Sequence, residues 1–435
     1  MLGMRGTGDW ATDQRPKNWR ELILYLYPNG SAPLTAIMSK LKEEKVDDPE
    51  FNWWTKLLPT QGGDLGTAGD VFTDSGMGSD VSAWGTAAGT KLFVKVPEAT
   101  ADQIRVGHQV MLRDTDQYIA DITAKVTAVD VNGSSSRISI TLLEADDSSV
   151  SYNLSTVNRI NVIGNMNPEG GARPDALAYD PTKWYNYTQI FRTPLEITRT
   201  ARETHLRTGD AYKEAKRETL ELHSIELEKA FLWSYKSENI GANGKKERST
   251  MGLIPAIVYG SNGTANVGVT GSYTSDSGYG SQTWLQGGED WLDAKLEEMF
   301  RYGRAEKLAF AGSGALLGIN RLAKAGGQIQ LQPTTIQYGL KVTEWITPFG
   351  SIFVKTHPLF SYDATNRNSL VVFEPEDIKF RYITDTMFRK APPMTESQVS
   401  IDGTVEEYLT EAGLEYHHPN GWGYLNGLNT TNTYS

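Results

Sequence analysis

The chain has 435 residues, 39% of them apolar and 22% charged, with a formal net charge of −11. That length supports two or three domains with real cores, and the negative balance argues against a protein held to nucleic acid by a basic footprint. There is no cysteine, which excludes disulfides, thiolate zinc sites, iron–sulfur clusters and cysteine nucleophiles.

The first stretch, "MLGMRGTGDWATDQRP", is polar and Gly-rich, without the apolar core of a signal peptide. No run reaches the roughly 20 apolar residues of a membrane span. A flexible arm, a cytoplasmic compartment and no membrane partner are expected. "NWRELILYLY" (18–27) predicts a short amphipathic helix that "PNGSAP" stops, and "LTAIMSKLKEEK" predicts a second.

"EFNWWTKLLPTQ" follows, with Trp53 and Trp54 adjacent. In a strand the two indoles point to opposite faces, so both faces need cover, from this chain or from partner subunits. Residues 73–89 are Gly/Ser/Asp-rich and irregular. Then come "KLFVKV", "QVMLRD", "YIADITAKVTAVDV", "SRISITLLEA" and "NRINVIG", short, alternating and β-branched. They predict a small antiparallel barrel or sandwich of its own.

"KWYNYTQIFRTPLEITRTA" (183–201) predicts one long extended segment with Tyr185, Tyr187 and Phe191 on a shared face. Pairing it with "FNWWTKLLPTQ" places the β module at the tip of a two-stranded arm. Isolated two-stranded ribbons are marginal in water, so such an arm is expected to pack on neighbours. Residues 208–234 predict a helix roughly 40 Å long, capped by Thr208 or Asp210. Beyond a Gly/Ser/Tyr-rich loop (261–281), "EDWLDAKLEEMFRYG" predicts another amphipathic helix. "KLAFAG", a helix from Ala315, the hairpin "GLKVTEWITPFGSIFVKTH" and "SLVVFEPEDIKFRYI" predict a compact α+β region. "VEEYLTEAGLEYHHPNGWGYLNGL" alternates like one long strand.

Three features invite a catalytic reading. "ETLELHSIELEKAF" sets a histidine among carboxylates. On a helical wheel Glu214, Arg217, Glu218, Glu221, Glu228 and Lys229 fall on one side. Tyr212, Ala215, Leu220, Leu227, Ala230 and Phe231 fall on the other, with Leu222 between. His223 lies on the apolar side, with Glu226 its one helical partner. A catalytic zinc needs three protein ligands, and His-x-x-Glu supplies two, so a packed helix with a charged outer face is the better reading. Gly312, Gly314 and Gly318 evoke a dinucleotide fingerprint, but the spacing is one residue too long and no βαβ unit surrounds it. His417 and His418 are adjacent in an apparent strand and face opposite ways. Nothing forms a catalytic constellation, and no cofactor or metal is expected.

The order of segments resembles tailed-bacteriophage major capsid proteins of the Hong Kong 97-type fold, in the branch with a β-barrel insertion in the extended loop. "RELILYLYPNGSAPLTAIM" resembles the family's N-terminal segment, and "FNWWTKLLP" and "YTQIFRTPLEITRTA" resemble the two strands of its extended loop. "KRETLELHSIELEKAFLWS" resembles the spine helix of the peripheral domain, and "RSTMGLIPAI" the segment after it. "EEYLTEAGLEYHHPNGWGYLNGL" resembles the C-terminal strand.

The resemblance implies an α+β subunit in seven parts. These are an N-terminal arm (1–50), an outgoing loop strand (51–75), an inserted β-barrel (76–168) and a returning strand (169–201). A peripheral domain (202–304) with spine helix 208–234, an axial domain (305–365) and a peripheral return with the C-terminal strand (366–435) complete it. It implies a non-enzymatic subunit that forms hexamers and pentamers of an icosahedral shell in the virion. That shell is assembled in the host cytoplasm and encloses double-stranded DNA without sequence-specific binding. Scaffold, portal and cement or decoration proteins are the implied partners. Trp53, Trp54, Tyr185, Tyr187 and Phe191 are the expected assembly-interface residues. An encapsulin-like compartment shell, or an enzyme with a nucleotide or metal site near Gly312 or His223, are the alternatives.

Overall fold

The computed structural model describes residues 33–38, 43–56, 60–82, 85–115, 121–145, 154–171, 173–178, 181–203, 205–206, 209–260, 267–279, 282–326, 330–337, 340–390 and 403–429. The expected arm, the helix at 18–27 and the candidate cap Thr208 lie outside them. The chain divides into two compact units, one of residues 56–182 and one of residues 1–55 with 183–435.

The strands, in chain order, begin with β1 (Glu43–Lys45) and β2 (Glu50–Thr55). The 56–182 unit holds β3 (Gly62–Asp64), β4 (Val71–Phe72), β5 (Lys91–Lys95), β6 (His108–Arg113), β7 (Asp121–Asp130), β8 (Arg137–Leu142) and β9 (Arg159–Asn165). They form one antiparallel sheet in the order β3-β9-β6-β7-β8-β5-β4. Alternation explains the strands: along β6 every second residue, from His108 to Leu112, is buried, as a half-buried strand requires. The inward residues build a core of their own, including Leu92, Val94, Val110, Leu112, Ile122, Ile138, Ile140 and Ile160. The linking segment from β3 to β4 also bonds both ends of the sheet. Leu65 N–H donates to Asn158 O at 2.7 Å, Gly69 N–H to Val157 O at 2.8 Å, and Asp70 O accepts from Lys95 N–H at 3.0 Å.

In the larger unit come β10 (Thr182–Tyr187), β11 (Gln189–Thr198), the two-residue pair β12 (His205–Leu206) and β13 (Gly209–Asp210), and the hairpin β14 (Ser237–Ile240) and β15 (Lys246–Ser249). They continue with β16 (Val269–Ser272), β17 (Glu306–Ala311), β18 (Gln330–Gln337), β19 (Leu340–Thr347) and β20 (Gly350–Thr356). The last are β21 (Leu370–Phe373), β22 (Ile378–Lys390), β23 (Gly403–Tyr416) and β24 (Gly423–Asn426).

One sheet runs β1-β22-β23-β11, and the long helix Ala211–Trp233 packs its apolar side on β11. The other runs β16-β24-β21-β17-β20-β19-β18, flanked by the helices Trp284–Phe300 and Ser313–Gly326. Its central β21 is buried at every position, as a strand covered on both faces must be. Thr283 starts the Trp284–Phe300 helix, and Gln286 reaches back to accept from the Thr283 N–H at 3.2 Å, the return half of a capping box. An ion pair is buried inside this unit. Lys307 meets Glu374 with both side chains almost wholly buried, and Glu374 also accepts from Arg304 N–H at 3.1 Å. The fold is mixed α+β.

Four expectations change. "LTAIMSKLKEEK" is not one helix: the helix is Pro33–Met38, and Glu43–Lys45 is a strand parallel to β22. The segment 183–201 is two strands serving different sheets, β10 with β2 and β11 with β23. "SLVVFEPEDIKFRYI" likewise divides between sheets at the turn Pro375–Asp377. The C-terminal strand ends at Tyr416 because His418 turns left-handed at φ 48° and Pro419 lacks an N–H. The chain then crosses to the other sheet as β24.

Candidate assembly surfaces

The catalytic readings come apart on geometry. The glycine amides that would cradle a phosphate are spent inside the chain: Gly312 N–H donates to Ser369 O and Gly314 N–H to Arg367 O, both at 3.0 Å. A Cβ on Gly312 would run into Arg367 O, so this glycine serves a close backbone approach. His223 is wholly buried between the long helix and the sheet. Its Nδ1 lies 2.8 Å from Thr193 Oγ1 and its Nε2 2.8 Å from Thr410 Oγ1. Burial pushes its imidazole down to about 4. His417 turns to Glu415 at 2.6 Å. Among the described residues no group of three His, Asp or Glu side chains is placed to hold a metal, and no described helix is long and apolar enough to cross a membrane.

What remains is the ribbon of β2 and β10, a two-stranded sheet of its own. In β2 the exposed and buried positions alternate without exception. Trp53, 5% exposed, lies edge-on to Tyr416 at 5.2 Å and stacks beside Phe51 at 6.0 Å. Trp54, on the opposite face, is 61% exposed. The two adjacent indoles therefore do different things, as a period of two dictates.

On β10, Tyr185 and Tyr187 meet edge-on at 5.7 Å. The Lys236 ammonium sits 3.3 Å from the centre of the Tyr185 ring, in cation–π geometry. Burial lowers the Lys236 amine to about 8, against a weaker opposing pull from Glu50. Phe191 does not share the tyrosines' surroundings. The chain changes sheets at Thr188, and Phe191 packs edge-on to Phe231 at 5.9 Å inside the core.

Asn186 was not singled out from sequence, yet it fastens the ribbon. Its Nδ2 donates to Leu414 O at 2.8 Å and to Met251 O at 3.2 Å, and its Oδ1 accepts from Met251 N–H and Tyr187 N–H, each at 2.8 Å. A buried amide that uses both ends this way is fully satisfied. The only sequence signal was a polar residue at an inward position of the strand. Glu228 was assigned to the charged face of the long helix, but it is buried, because helix Pro33–Met38 and His357 cover it. Beside the ribbon, an open groove of about 390 Å³ lies between β11 and the β14–β15 hairpin, lined by Ile190, Lys246, Arg248 and Glu411 among others.

Buried catalytic candidates and an aromatic ribbon describe a subunit built for packing. The family model described as SU10 major capsid protein matches residues 6–429. The chain therefore belongs to the SU10 major capsid protein family: it is a major capsid protein of a tailed bacteriophage, a structural subunit and not an enzyme. A relative, the major capsid protein of Pseudomonas phage PaMx41, is 23% identical over 387 residues, covering 84% of this chain and 78% of its own. Among solved structures, that of Mycobacterium phage Cain is similar with a TM-score of 0.40 at 6% identity, over 87% of this chain and 83% of that one. The SrpI encapsulin complex of Synechococcus elongatus PCC 7942 is similar with a TM-score of 0.37 at 11% identity, over 59% and 79%. At these scores the structural likeness carries no weight of its own; the family match does.

Proposed function

We propose that the subunit assembles with copies of itself, as hexamers and pentamers, into an icosahedral shell around double-stranded DNA, and that its fold is of the Hong Kong 97 type. On this reading β2 and β10 form the base of the extended loop. The helix Ala211–Trp233 is the spine of the peripheral domain, and residues 305–365 form the axial domain. The 56–182 unit is the insertion, and we infer that it is a small closed barrel. The support is the bonding of segment 62–72 to β9 at one end and β5 at the other. Assembly proceeds in the host cytoplasm, with scaffold, portal and cement proteins as further partners. The net charge of −11 suits a wall that encloses DNA without adhering to it.

The observation that carries the assembly reading is the division of labour in β2: Trp53 is spent in the subunit core and Trp54 is left on the surface. A large exposed indole on the strand paired with that of the half-buried Tyr185 and Tyr187 suits an interface, where aromatic residues concentrate. Trp53→Ala should destabilise the subunit itself by about 3–5 kcal/mol, the usual cost of emptying an aromatic site. Trp54→Ala should change subunit stability by less than about 1 kcal/mol while lowering the yield of closed shells seen by electron microscopy on coexpression with scaffold. Undiminished shell formation by a folded Trp54→Ala subunit would remove this face from the interface.

A further inference from the structure

The N-terminal segment is fastened to its own subunit at two places of opposite character. The first is dry. Leu34 N–H and Thr35 N–H each donate to the Glu228 carboxylate at 2.8 Å, and Thr35 Oγ1 donates to it at 2.7 Å. His357 Nε2 lies 2.8 Å from the same group, and both side chains are wholly buried. His357 Nδ1 accepts from Leu359 N–H at 3.2 Å, so the proton sits on Nε2 and is donated to Glu228. Glu228 thus does from another element what a local cap does for the start of a helix, satisfying the free amides of Pro33–Met38. One carboxylate joins the N-terminal helix, the long helix and the residue after β20.

The second place is wet. All three residues of β1 are exposed. They pair in parallel with Phe380, Arg381 and Tyr382 of β22, and Val46 N–H donates to Tyr382 O at 2.9 Å. Glu44 of β1 pairs with Arg381; the glutamate side of that pair is open to solvent, and Arg381 divides itself between Glu44 and Glu415. Exposed pairs contribute little and are screened by salt. A buried carboxylate that loses one of its four donors has no water to replace it, so each of these bonds is costly to break.

We propose that helix Pro33–Met38 and strand Glu43–Lys45 are the two stages of a strap, with Glu228 as its anchor. β1 peels from β22 under conditions that leave Pro33–Met38 locked, and that helix detaches only when the Glu228 cluster opens. The strap is a property of the single subunit and stands whether or not the assembly reading does.

Hydrogen exchange followed by mass spectrometry on the full-length subunit tests it. Raising salt from low to molar concentration should speed exchange at 43–46 by about two- to fourfold while Leu34 and Thr35 keep their protection, because a screened exposed pair gives up less than about 1 kcal/mol and local openings differ in free energy along a chain. Glu228→Gln replaces an acceptor oxygen with an N–H donor facing other donors, and should lower protection at Leu34 and Thr35 by at least about tenfold. Glu44→Gln should act at 43–46 alone. Loss of protection at both places together as salt rises would overturn the proposal. So would a folded Glu228→Gln subunit that keeps Leu34 and Thr35 protected. If that variant does not fold, the salt series on the unaltered chain decides.

Discussion

His223 shows how a polar residue is made inert by its neighbours. Thr193 Oγ1 donates to Glu226 at 3.0 Å, so it accepts from His223 Nδ1–H. Nε2 then accepts from Thr410, whose oxygen lies 2.9 Å from Thr386 Oγ1. The chain of donors runs one way, from Thr386 through the ring to Glu226, and fits a neutral imidazole. Protonation would force a second donor against Thr410. Burial holds the ring down to about 4 from its ordinary 6.5. Below pH 6.5 the unfolded chain therefore binds a proton that the native subunit refuses. The histidine's contribution is full above pH 6.5 and falls as pH drops towards 4, by about 3 kcal/mol in all at 1.36 kcal/mol per pH unit. His223→Gln removes this dependence, so its stability deficit against the unaltered chain should shrink by about that amount between pH 7 and 4. Denaturant melts across that range measure it, and a deficit that stays constant would contradict the assignment. The wheel placed His223 on the packed side and named Glu226 as its partner. The intervening hydroxyl of Thr193, on a strand thirty residues earlier, has no signature in a local pattern.

At the scale of elements, the ribbon depends on Asn186 for its attachment. It ties β10 to the end of β23 and to the stretch at Thr250–Met251 that precedes helix Leu253–Tyr259. Asn186→Ala leaves Leu414 O and Met251 N–H buried without this partner and should cost about 3 kcal/mol of subunit stability. Asn186→Asp keeps an acceptor for Met251 N–H but loses the donor to Leu414 O and buries a charge, so it should cost at least as much. Urea denaturation of the two variants checks the order, and a loss under about 0.5 kcal/mol for either would show that β10 is held elsewhere. Strong periods were readable in the sequence: the long helix, the hairpin of β19 and β20, and the pairing of the two aromatic stretches. Changes of sheet were not. β10 and β11 read as one strand because only Thr188 separates them, and β23 seemed to run on because the break lies in the backbone angle of His418. A residue that redirects the chain without interrupting the alternation leaves hydropathy unchanged. Glu228 fails for a related reason: a wheel reports which side of a helix is charged, not what folds over it from residues 33–38.

For the whole molecule, the decisive feature is that apolar residues gather into separate cores. The 56–182 unit buries Leu92, Val110, Ile122, Ile140 and Leu154 among its own residues, and its length lies in the usual range for a self-sufficient domain. Its five longer strands were legible because each is a run of five residues or more, rich in β-branched residues and bounded by turn signals. β3 and β4 were not, since strands of two or three residues carry no period, and so the compact unit extends back to Lys56. An excised 56–182 fragment should therefore be soluble and should unfold in a single cooperative transition, with the calorimetric and van't Hoff enthalpies in agreement. Replacing β3 by a Gly/Ser linker within the fragment should lower that transition, because β9 then becomes an unpaired edge strand. A fragment that binds hydrophobic dye and melts without cooperativity would mean that the 56–182 unit draws its order from the rest of the subunit. The enthalpy ratio separates the two outcomes, since a core that closes on itself melts as one unit and a borrowed core does not.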